Sequence, residues 1–547
     1  MSYRTKARIQ PLRFSDRTSS ASPGNLSKLR QRSSPRSRAP QLPHDVLATV
    51  FAHVREVVTL KSTIPLWGEL QDAKITVGPL IQITMVSWFW REVALSSPSL
   101  WSAIPVLVES GKLLSLANPQ QVRYCLQLAK ETPLKLIIGT RKELGGPGVK
   151  YQRSLTYHPL DFLAELAPRV SELAIAFQPN SNLLPVIRQS PHNFLILEAL
   201  ILIGSPQPAS LLEQAGFWEC THLRQVLWGF SYQASPPPFL STPPPGLTEV
   251  LLTDNWDATL PSATVHAFLG AASGLIEFRV RVCHSHGSAD SDSPNSQPLL
   301  LLHHDKLQKL SIIFQGHSPD SSSAPLISAL RTPGLKDFSF DLDWSTSVNP
   351  SAVTKWLCIS SGCSLSTFEC LARHIDRADL LQCLRAMPLL EVFKCTGAVL
   401  GDRRFRLAAV DTDKALIDER LLMMLAVGVS QQGLSKAEKI PCPLLREFHV
   451  ENAYFSRFHL DAFILGRLYG GTRFLPNENN VKVTPLRKIV IVDLIDKLGG
   501  DVGAGVFKAR RFMQKWKALH DVEVSVSRFI DKHRLVVAGL EDVARPL

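Results

Sequence analysis

A short apolar motif recurs along the chain and limits what it can fold into. The motif reads L-x-x-(L/F/V)-x-(L/I/V/C), and alternation of this kind is typical of a β-strand with one buried face. Its copies begin at residues 170, 197, 223, 247, 275, 307, 335, 365, 390, 445 and 486, with a looser copy at 519. The first nine begin 24 to 32 residues apart, and the next two gaps are 55 and 41 residues. Each unit needs its neighbours to bury its apolar edge, so the units must stack.

This spacing and strand pattern match the leucine-rich repeat. Helix-compatible pieces such as residues 210–216 and 264–273 lie between the predicted strands. No regular asparagine ladder is present, and the two long gaps indicate inserted or degenerate units. We therefore predict an irregular leucine-rich-repeat-like solenoid of α/β class over residues 166–547. The alternative is an ordinary α/β domain with several short strands.

Residues 41–105 carry a different, helical pattern. In LPHDVLATVFAHV, the apolar residues fall on one helical face, with Pro43 suited to a first helical turn. PLIQITMVSWFWREVAL predicts another helical stretch that ends before Pro98, and SLWSAI predicts a short last turn. Three tryptophans fall within residues 83–104, and large aromatic side chains fill a small core efficiently. The segment therefore predicts a small all-α module of three helices.

The same segment resembles the F-box of mushroom-type fungal F-box proteins. Asp45 and Val46 stand where that family usually has Glu and Ile, and Ser87 stands where it has Cys. Trp88 and Phe89 occupy positions that are usually basic or polar. The matching positions are Leu42, Pro43, Leu47 and Phe51 in the first part, and Val86, Trp90, Arg91, Ala94, Leu95, Pro98, Leu100 and Trp101 in the second.

The resemblance implies that the module binds a Skp-type adaptor and, through it, a cullin. Apolar and aromatic anchors suit such an interface. For each candidate, core packing and adaptor contact both remain open, and a helical bundle that only caps the repeats is the alternative reading. The adaptor-binding candidates are Leu42, Pro43, Val46, Leu47, Val50, Phe51, Trp90, Leu100 and Trp101.

A weaker resemblance continues through a connector of helix and strand at residues 106–165. CLQLAKETPLKLII resembles the helix and strand that follow the F-box in this family. DERLLMMLA and CPLLREFHV resemble its late helix and repeat unit.

The third and fifth motif positions, and the residue after the motif, should share the face opposite the core. Early repeats place apolar residues there (Ala199, Ile201, Ile203, Leu227 and Leu251), which predicts a face covered by protein. Later repeats place charged residues there, which predicts recognition of a substrate protein by charge; ordinary solvated strand faces are the alternative. The substrate-binding candidates are Glu277, Arg279, Arg281, Asp337, Asp341, Glu447, His449 and Glu451.

Residues 1–40 form a basic tail rich in serine, arginine and proline. They contain ten lysines and arginines and one acidic residue, so they hold nine of the twelve net positive charges. Their composition predicts disorder. A solvated tail, a nuclear-import or nucleic-acid patch, and a mitochondrial transit peptide all remain open. The rest of the chain is close to neutral, which argues against a nucleic-acid partner for it.

The sequence has the composition of an intracellular protein without a catalytic site. Its nine cysteines are scattered and form no C-x-x-C pair, which favours reduced thiols in the cytoplasm or nucleus. It has no signal-peptide-like start and no apolar run long enough to span a membrane. GGDVGAG lacks the P-loop lysine, CHSHG fits no structural zinc pattern, and no G-x-S-x-G occurs. We expect no cofactor, no metal and no enzymatic activity.

The function that these observations favour is a substrate-receptor subunit of a Skp–cullin–F-box E3 ubiquitin ligase. The F-box would dock the adaptor, and the repeats would hold a substrate protein that the sequence does not identify. Two alternatives remain: an interaction scaffold outside any ligase, and a nuclear, nucleic-acid-associated protein that acts through the basic tail.

Overall fold

A computed structural model describes a mixed α/β fold built on one large parallel sheet. Some predicted features lie outside the described residues: the tail at 1–40, the piece at 210–216, residues 284–287 of CHSHG, and GGDVGAG at 499–505. The structure describes residues 42–56, 78–109, 115–116, 119–140, 165–177, 194–204, 217–229, 237–252, 260–283, 299–315, 324–342, 356, 365–371, 377–396, 417–426, 441–451, 453–455, 457–473, 484–496, 514, 517 and 522–531.

Nine α-helices and nineteen strands occur within these ranges. The helices are α1 (His44–Glu56), α2 (Gly78–Val86), α3 (Trp88–Leu95), α4 (Pro119–Ala129), α5 (Ser262–Ala271), α6 (Ala324–Ala329), α7 (Arg377–Arg385), α8 (Glu419–Leu425) and α9 (Arg457–Arg473). The strands are β1 (Ala103–Glu109), β2 (Ser115–Leu116), β3 (Leu134–Thr140), β4 (Val170–Phe177), β5 (Ala199–Gly204), β6 (Gln225–Gly229), β7 (Glu249–Leu252), β8 (Leu260–Pro261), β9 (Glu277–Cys283), β10 (Leu302–His303), β11 (Lys309–Gln315), β12 (Leu330–Arg331), β13 (Asp337–Leu342), β14 (Thr367–Leu371), β15 (Val392–Thr396), β16 (Glu447–Glu451), β17 (Ala453–Tyr454), β18 (Lys488–Asp496) and β19 (Glu523–Asp531).

The parallel strands of the large sheet follow one another in the order of the chain. Its successive parallel strands are β1, β3, β4, β5, β6, β7, β9, β11, β13, β14, β15, β16, β18 and β19. The short strand β2 pairs antiparallel with β1, while β8 and β17 add parallel pairs beside β9 and β18. A separate pair joins β10 and β12. Parallel neighbours need crossover connections, and α4 to α9 lie within these connections.

The predicted motif strands are confirmed, and they pair in register. Fourth-position residues face each other across neighbouring strands, as Phe338 faces Phe368 and Phe393 faces Phe448. The looser copy at 519 is offset, because Val524 rather than Val522 lies opposite Ile489. The register keeps like motif positions on the same face of the sheet from β4 to β18.

The first, fourth and sixth motif positions are buried in one hydrophobic core. Four phenylalanines follow one another along it, with ring centroids 6.1 Å apart for Phe338–Phe368, 6.1 Å for Phe368–Phe393 and 5.7 Å for Phe393–Phe448. The helices pack onto the same side, as Phe268 of α5 contacts Phe278 at 5.3 Å. Large apolar side chains from strands and helices therefore share one continuous interior.

The sheet begins earlier than the repeat motif indicates. β1 and β3 precede residue 166 and pair with each other, and β3 pairs with β4. The helix and strand expected after the first module are present as α4 and β3. The connector is thus the first part of the sheet, because its strands share the core with those that follow.

The three helices α1 to α3 form a small module joined to the same core. Leu47, Phe51 and Trp101 are buried in it, and the Phe51 ring lies 5.3 Å from that of Trp90. The Trp101 indole donates a hydrogen bond to the Ala94 carbonyl at 2.8 Å and packs edge-on against Tyr124 of α4. Trp101 therefore links the helical module to the first crossover helix.

A buried arginine ties α9 to the turn before β16. Nη2 of Arg467 donates to the Cys442 carbonyl oxygen at 2.6 Å, and Cys442 adopts a φ of 47°. Burial lowers the pKa of Arg467 to about 10, with a partly opposing effect from Cys442, and raises the pKa of Cys442 to about 12. The contact orients α9 against the late strands. Within the described part of the chain, no helix is both long and apolar enough to cross a membrane.

Two tryptophans of the helical module should differ sharply in their effect on stability. Trp101→Ala should lower the free energy of unfolding by about 3–5 kcal/mol, because it removes a buried, hydrogen-bonded indole. Trp88→Ala should change it by less than about 0.5 kcal/mol, because Trp88 is 74% exposed. Urea denaturation followed by circular dichroism measures both, and equal losses would contradict the packing described.

Two glycines offer a second paired comparison. A Cβ at Gly334 would lie 2.3 Å from the Asp305 carbonyl oxygen, so Gly334→Ala should destabilise the protein by about 1–3 kcal/mol. A Cβ at Gly270 of α5 would lie 3.7 Å from the nearest side chain, an ordinary contact. Gly270→Ala should be neutral or stabilising by up to about 1 kcal/mol. Thermal unfolding of the two variants side by side checks the opposite signs.

Candidate functional site

Helix α1 presents an apolar stripe to solvent as well as one to the core. Leu42, Val46 and Val50 are four residues apart, and their side chains are 50%, 40% and 40% exposed. Val46 and Val50 share one face of α1, and Leu42 lies two residues before its first residue, His44. We call these three residues the α1 stripe. Pro43, also exposed, precedes the helix beside it.

The nine adaptor-binding candidates therefore separate into two groups. Leu42, Pro43, Val46 and Val50 are on the surface. Leu47, Phe51, Leu100 and Trp101 are fully buried, and Trp90 is half-buried against Phe51. The buried group builds the module, and the exposed group is available to contact another protein in this structure.

A second exposed apolar patch lies at the junction of α2 and α3. It consists of Met85, Val86 and Trp88, which are 61% to 74% exposed. Ser87 caps α3 by accepting a hydrogen bond from the Trp90 backbone N–H at 3.1 Å, and Arg91 Nε donates to the Thr84 carbonyl at 2.9 Å. Sequence reasoning did not assign this patch a role, although the three adjacent large apolar residues were its signal.

The face of the sheet opposite the core carries two rows of side chains in register. We call it the ladder face. The first row runs through Glu249, Glu277, Lys309, Asp337 and Thr367. The second row runs through Arg279, Ser311, Ser339, Glu369 and Lys394. The sequence singled out Glu277, Arg279 and Asp337; the structure adds the lysines, Glu369 and the hydroxyl residues.

Nine of these ten residues, all except Glu249, line a cavity of about 550 Å³ that spans β9 to β15. Its lining combines charges of both signs with three hydroxyl groups, from Ser311, Ser339 and Thr367. Phe278, Leu310 and Phe338 also line it, although their side chains are buried in the core. Because the rows are aligned by the strand register, residues up to 117 positions apart in the chain meet here.

Cross-strand ion pairs organise the charges of the ladder face. Lys309 Nζ lies 3.0 Å from Glu277 Oε2, and Lys394 Nζ lies 3.5 Å from Glu369 Oε2. At the other end of the sheet, Lys135 pairs with Glu172. Such half-exposed pairs contribute little stability, on the order of 0.2–1 kcal/mol each. Their main effect is to hold the long side chains in place.

The carboxylates raise the proton affinity of their neighbours. The hydrogen bond and negative charge of Glu277 raise the pKa of Lys309, with smaller contributions from Asp337 and Glu249. Burial raises the pKa of Glu249, Glu277 adds to the rise, and Lys309 opposes it. Gln225 Nε2 also donates to the Glu249 carboxylate at 2.9 Å. The first row therefore carries a local excess of negative charge.

The remaining substrate-binding candidates lie elsewhere. Arg281 is only 5% exposed, so the expectation of an open, substrate-facing side chain is wrong for it; Arg281 lies beside Ile313 in the sheet, and that residue is also buried. Glu447 and His449 form their own contact at 3.0 Å on β16 and are not among the cavity residues. Asp341 and Glu451 occupy strand positions on β13 and β16.

The early strands carry an apolar cluster on the ladder face. Ile203, Leu227 and Leu251 are 7% to 8% exposed, and Ile201 packs against them. Ala199 is buried as well. The apolar side chains of these early strands are thus largely shielded from solvent. The apolar early part and the charged later part meet where β7 pairs with β9.

In comparisons with known proteins, no family model matches the chain and no curated protein matches it significantly. Among the residues that the structure describes, no three His, Cys, Asp or Glu side chains come together as metal ligands.

Glu249→Gln should stabilise the protein at neutral pH. The pKa of Glu249 is higher in the folded than in the unfolded protein. Protonated Glu249 therefore contributes to the free energy of unfolding below the unfolded-state pKa of about 4.3, and this contribution is lost as pH rises through the folded-state pKa. The amide keeps an acceptor for Gln225 and removes the charge. Thermal unfolding of both proteins at pH 4 and pH 7 checks this: the gain should be larger at pH 7, and an equal gain at both would contradict it.

Proposed function

We propose that this protein is the substrate-receptor subunit of a Skp–cullin–F-box E3 ubiquitin ligase in the cytoplasm or nucleus. In this proposal α1 to α3 are the F-box, and the parallel sheet with its crossover helices is an irregular leucine-rich-repeat array. The protein acts as an adaptor, with no catalysis of its own.

The α1 stripe is the observation that carries the proposal. Leu42, Val46 and Val50 leave large apolar side chains in solvent, while Leu47 and Phe51 of α1 fill the core. Exposed apolar side chains grouped on one face favour a protein partner, since leaving them in water is unfavourable. Leu42 and Val46 also occupy positions at which this segment resembles the F-box.

The common core supports a mechanism based on proximity. It runs without interruption from Leu47 of α1 to Val524 of β19. An adaptor on the α1 stripe and a substrate on the ladder face would be held on one molecule. The substrate would then meet the ubiquitin-loaded conjugating enzyme at high local concentration. Transfer of ubiquitin between two separate molecules would become effectively intramolecular.

An aspartate introduced into the α1 stripe should disrupt adaptor binding without unfolding the protein. Val46→Asp and Val50→Asp should each weaken binding of a Skp-type adaptor at least about tenfold, because each buries a carboxylate in an apolar interface. Leu465→Asp on α9 is the matched control, since Leu465 is exposed to the same extent as the two valines. Aspartate at Leu47 or Phe51 would test folding instead, because both are buried.

The measurement is a pull-down of each tagged full-length variant with adaptor and cullin, after circular dichroism confirms folding. Adaptor and cullin should be recovered with the wild type and the Leu465 variant, and lost with the valine variants. Adaptor without cullin would favour a scaffold outside any ligase. No adaptor recovered with the folded wild type would refute the proposal.

A further inference from the structure

The cavity on the ladder face has a floor of small side chains. Ser311 and Ser339 face each other across β11 and β13, and Thr367 of β14 faces Asp337. Parallel strands are about 4.8 Å apart. In each row two neighbouring strands carry short side chains, Ser311 and Ser339 in one row and Asp337 and Thr367 in the other, and these leave a gap between the longer side chains. Arg279 and Lys309 lie toward one end of this gap, and Glu369 and Lys394 toward the other. The cavity exists because short residues lie between long ones in register.

The charged ends are largely satisfied by pairing. Lys309 binds Glu277 at 3.0 Å, and Lys394 binds Glu369 at 3.5 Å. These four groups offset each other in charge. The remaining charged groups of the lining are Arg279 on β9 and Asp337 on β13, which lie two strands apart. The side chains on the cavity floor therefore determine which ligand fits.

Asp337 is the exception on the floor. Its register neighbours are Lys309, which is already hydrogen-bonded to Glu277, and Thr367, which is neutral. Within the described part of the chain, no ion pair holds its carboxylate. The three hydroxyl groups beside it add further acceptor sites, so the floor has more acceptors than donors. A ligand group with several N–H donors and a positive charge complements this arrangement.

We infer that the cavity takes a lysine or arginine side chain from an extended segment of the substrate protein, with Asp337 as its counter-ion. This inference rests on the proposed function, in which the ladder face holds the substrate. A volume of about 550 Å³ exceeds one side chain, so flanking residues of the segment also fit. Small-molecule pockets are mostly lined by apolar and aromatic side chains, whereas the side chains available here are charged or hydroxylic.

Short peptides test this directly. The probes are four fluorescent nine-residue peptides of glycine and serine with a central Lys, Arg, Gln or Glu, titrated with the full-length protein by fluorescence anisotropy to about 1 mM. The Lys or Arg peptide should bind, and the Gln and Glu peptides should not. Asp337→Asn should weaken binding about tenfold or more, because a charge-assisted hydrogen bond is lost. Ser339→Leu should block binding by filling the floor.

Asp305→Asn is the matched control, because it removes the same charge from an exposed residue that does not line the cavity. It should bind the peptides as the wild type does. Equal binding of all four peptides, no binding of the Lys and Arg peptides, or unchanged binding by Asp337→Asn would each overturn the inference. Adaptor recovery with each variant separates this result from the proposed function, since Asp337→Asn should still bind the adaptor and Val50→Asp should still bind the peptide.

Discussion

The alignment of like motif positions across successive parallel strands is the constraint on which the rest of the structure depends. Two parallel strands cannot be joined by a tight hairpin turn. The chain of each unit must therefore cross over before its strand can pair with the next one. When the fourth positions align, Phe338, Phe368, Phe393 and Phe448 come into contact and make one core from units that are distant in the chain. A shift of one residue would turn this whole face toward solvent.

The same alignment creates the candidate binding face. Third and fifth positions must point away from the core, where they form rows rather than scattered charges. The pairing of Glu277 with Lys309 and the gap over Ser311 and Ser339 both follow from it. Packing of the core and recognition on the opposite face are thus two consequences of one register.

The helical module is joined to this framework by aromatic contacts rather than by strand pairing. Trp101 lies between α3 and α4 and is held by both a hydrogen bond and a ring contact. Burying Leu47 and Phe51 in the same core fixes which side of α1 faces outward. The exposed α1 stripe is consequently displayed by the fold, and adaptor binding as proposed would require no rearrangement of the module.

The sequence alone was sufficient for the motif strands β4 to β18 of the large sheet that begin at a motif copy, and for their two faces, because a period of two residues marks both at once. It also predicted the helical module, since the spacing of Leu47 and Phe51 is helical. It could not separate Val46 and Val50 from Leu47 and Phe51, because α1 is apolar on two adjacent faces and only packing against the other helices and the core decides which one is buried. Arg281 shows the same limit. The alternation of residues along β9 places it at a position on the ladder face, yet neighbouring residues bury its side chain. The cavity, with Asp337 at its floor, depends on which residues lie side by side across five strands. That choice is made by crossover lengths and tertiary register, which no local pattern encodes.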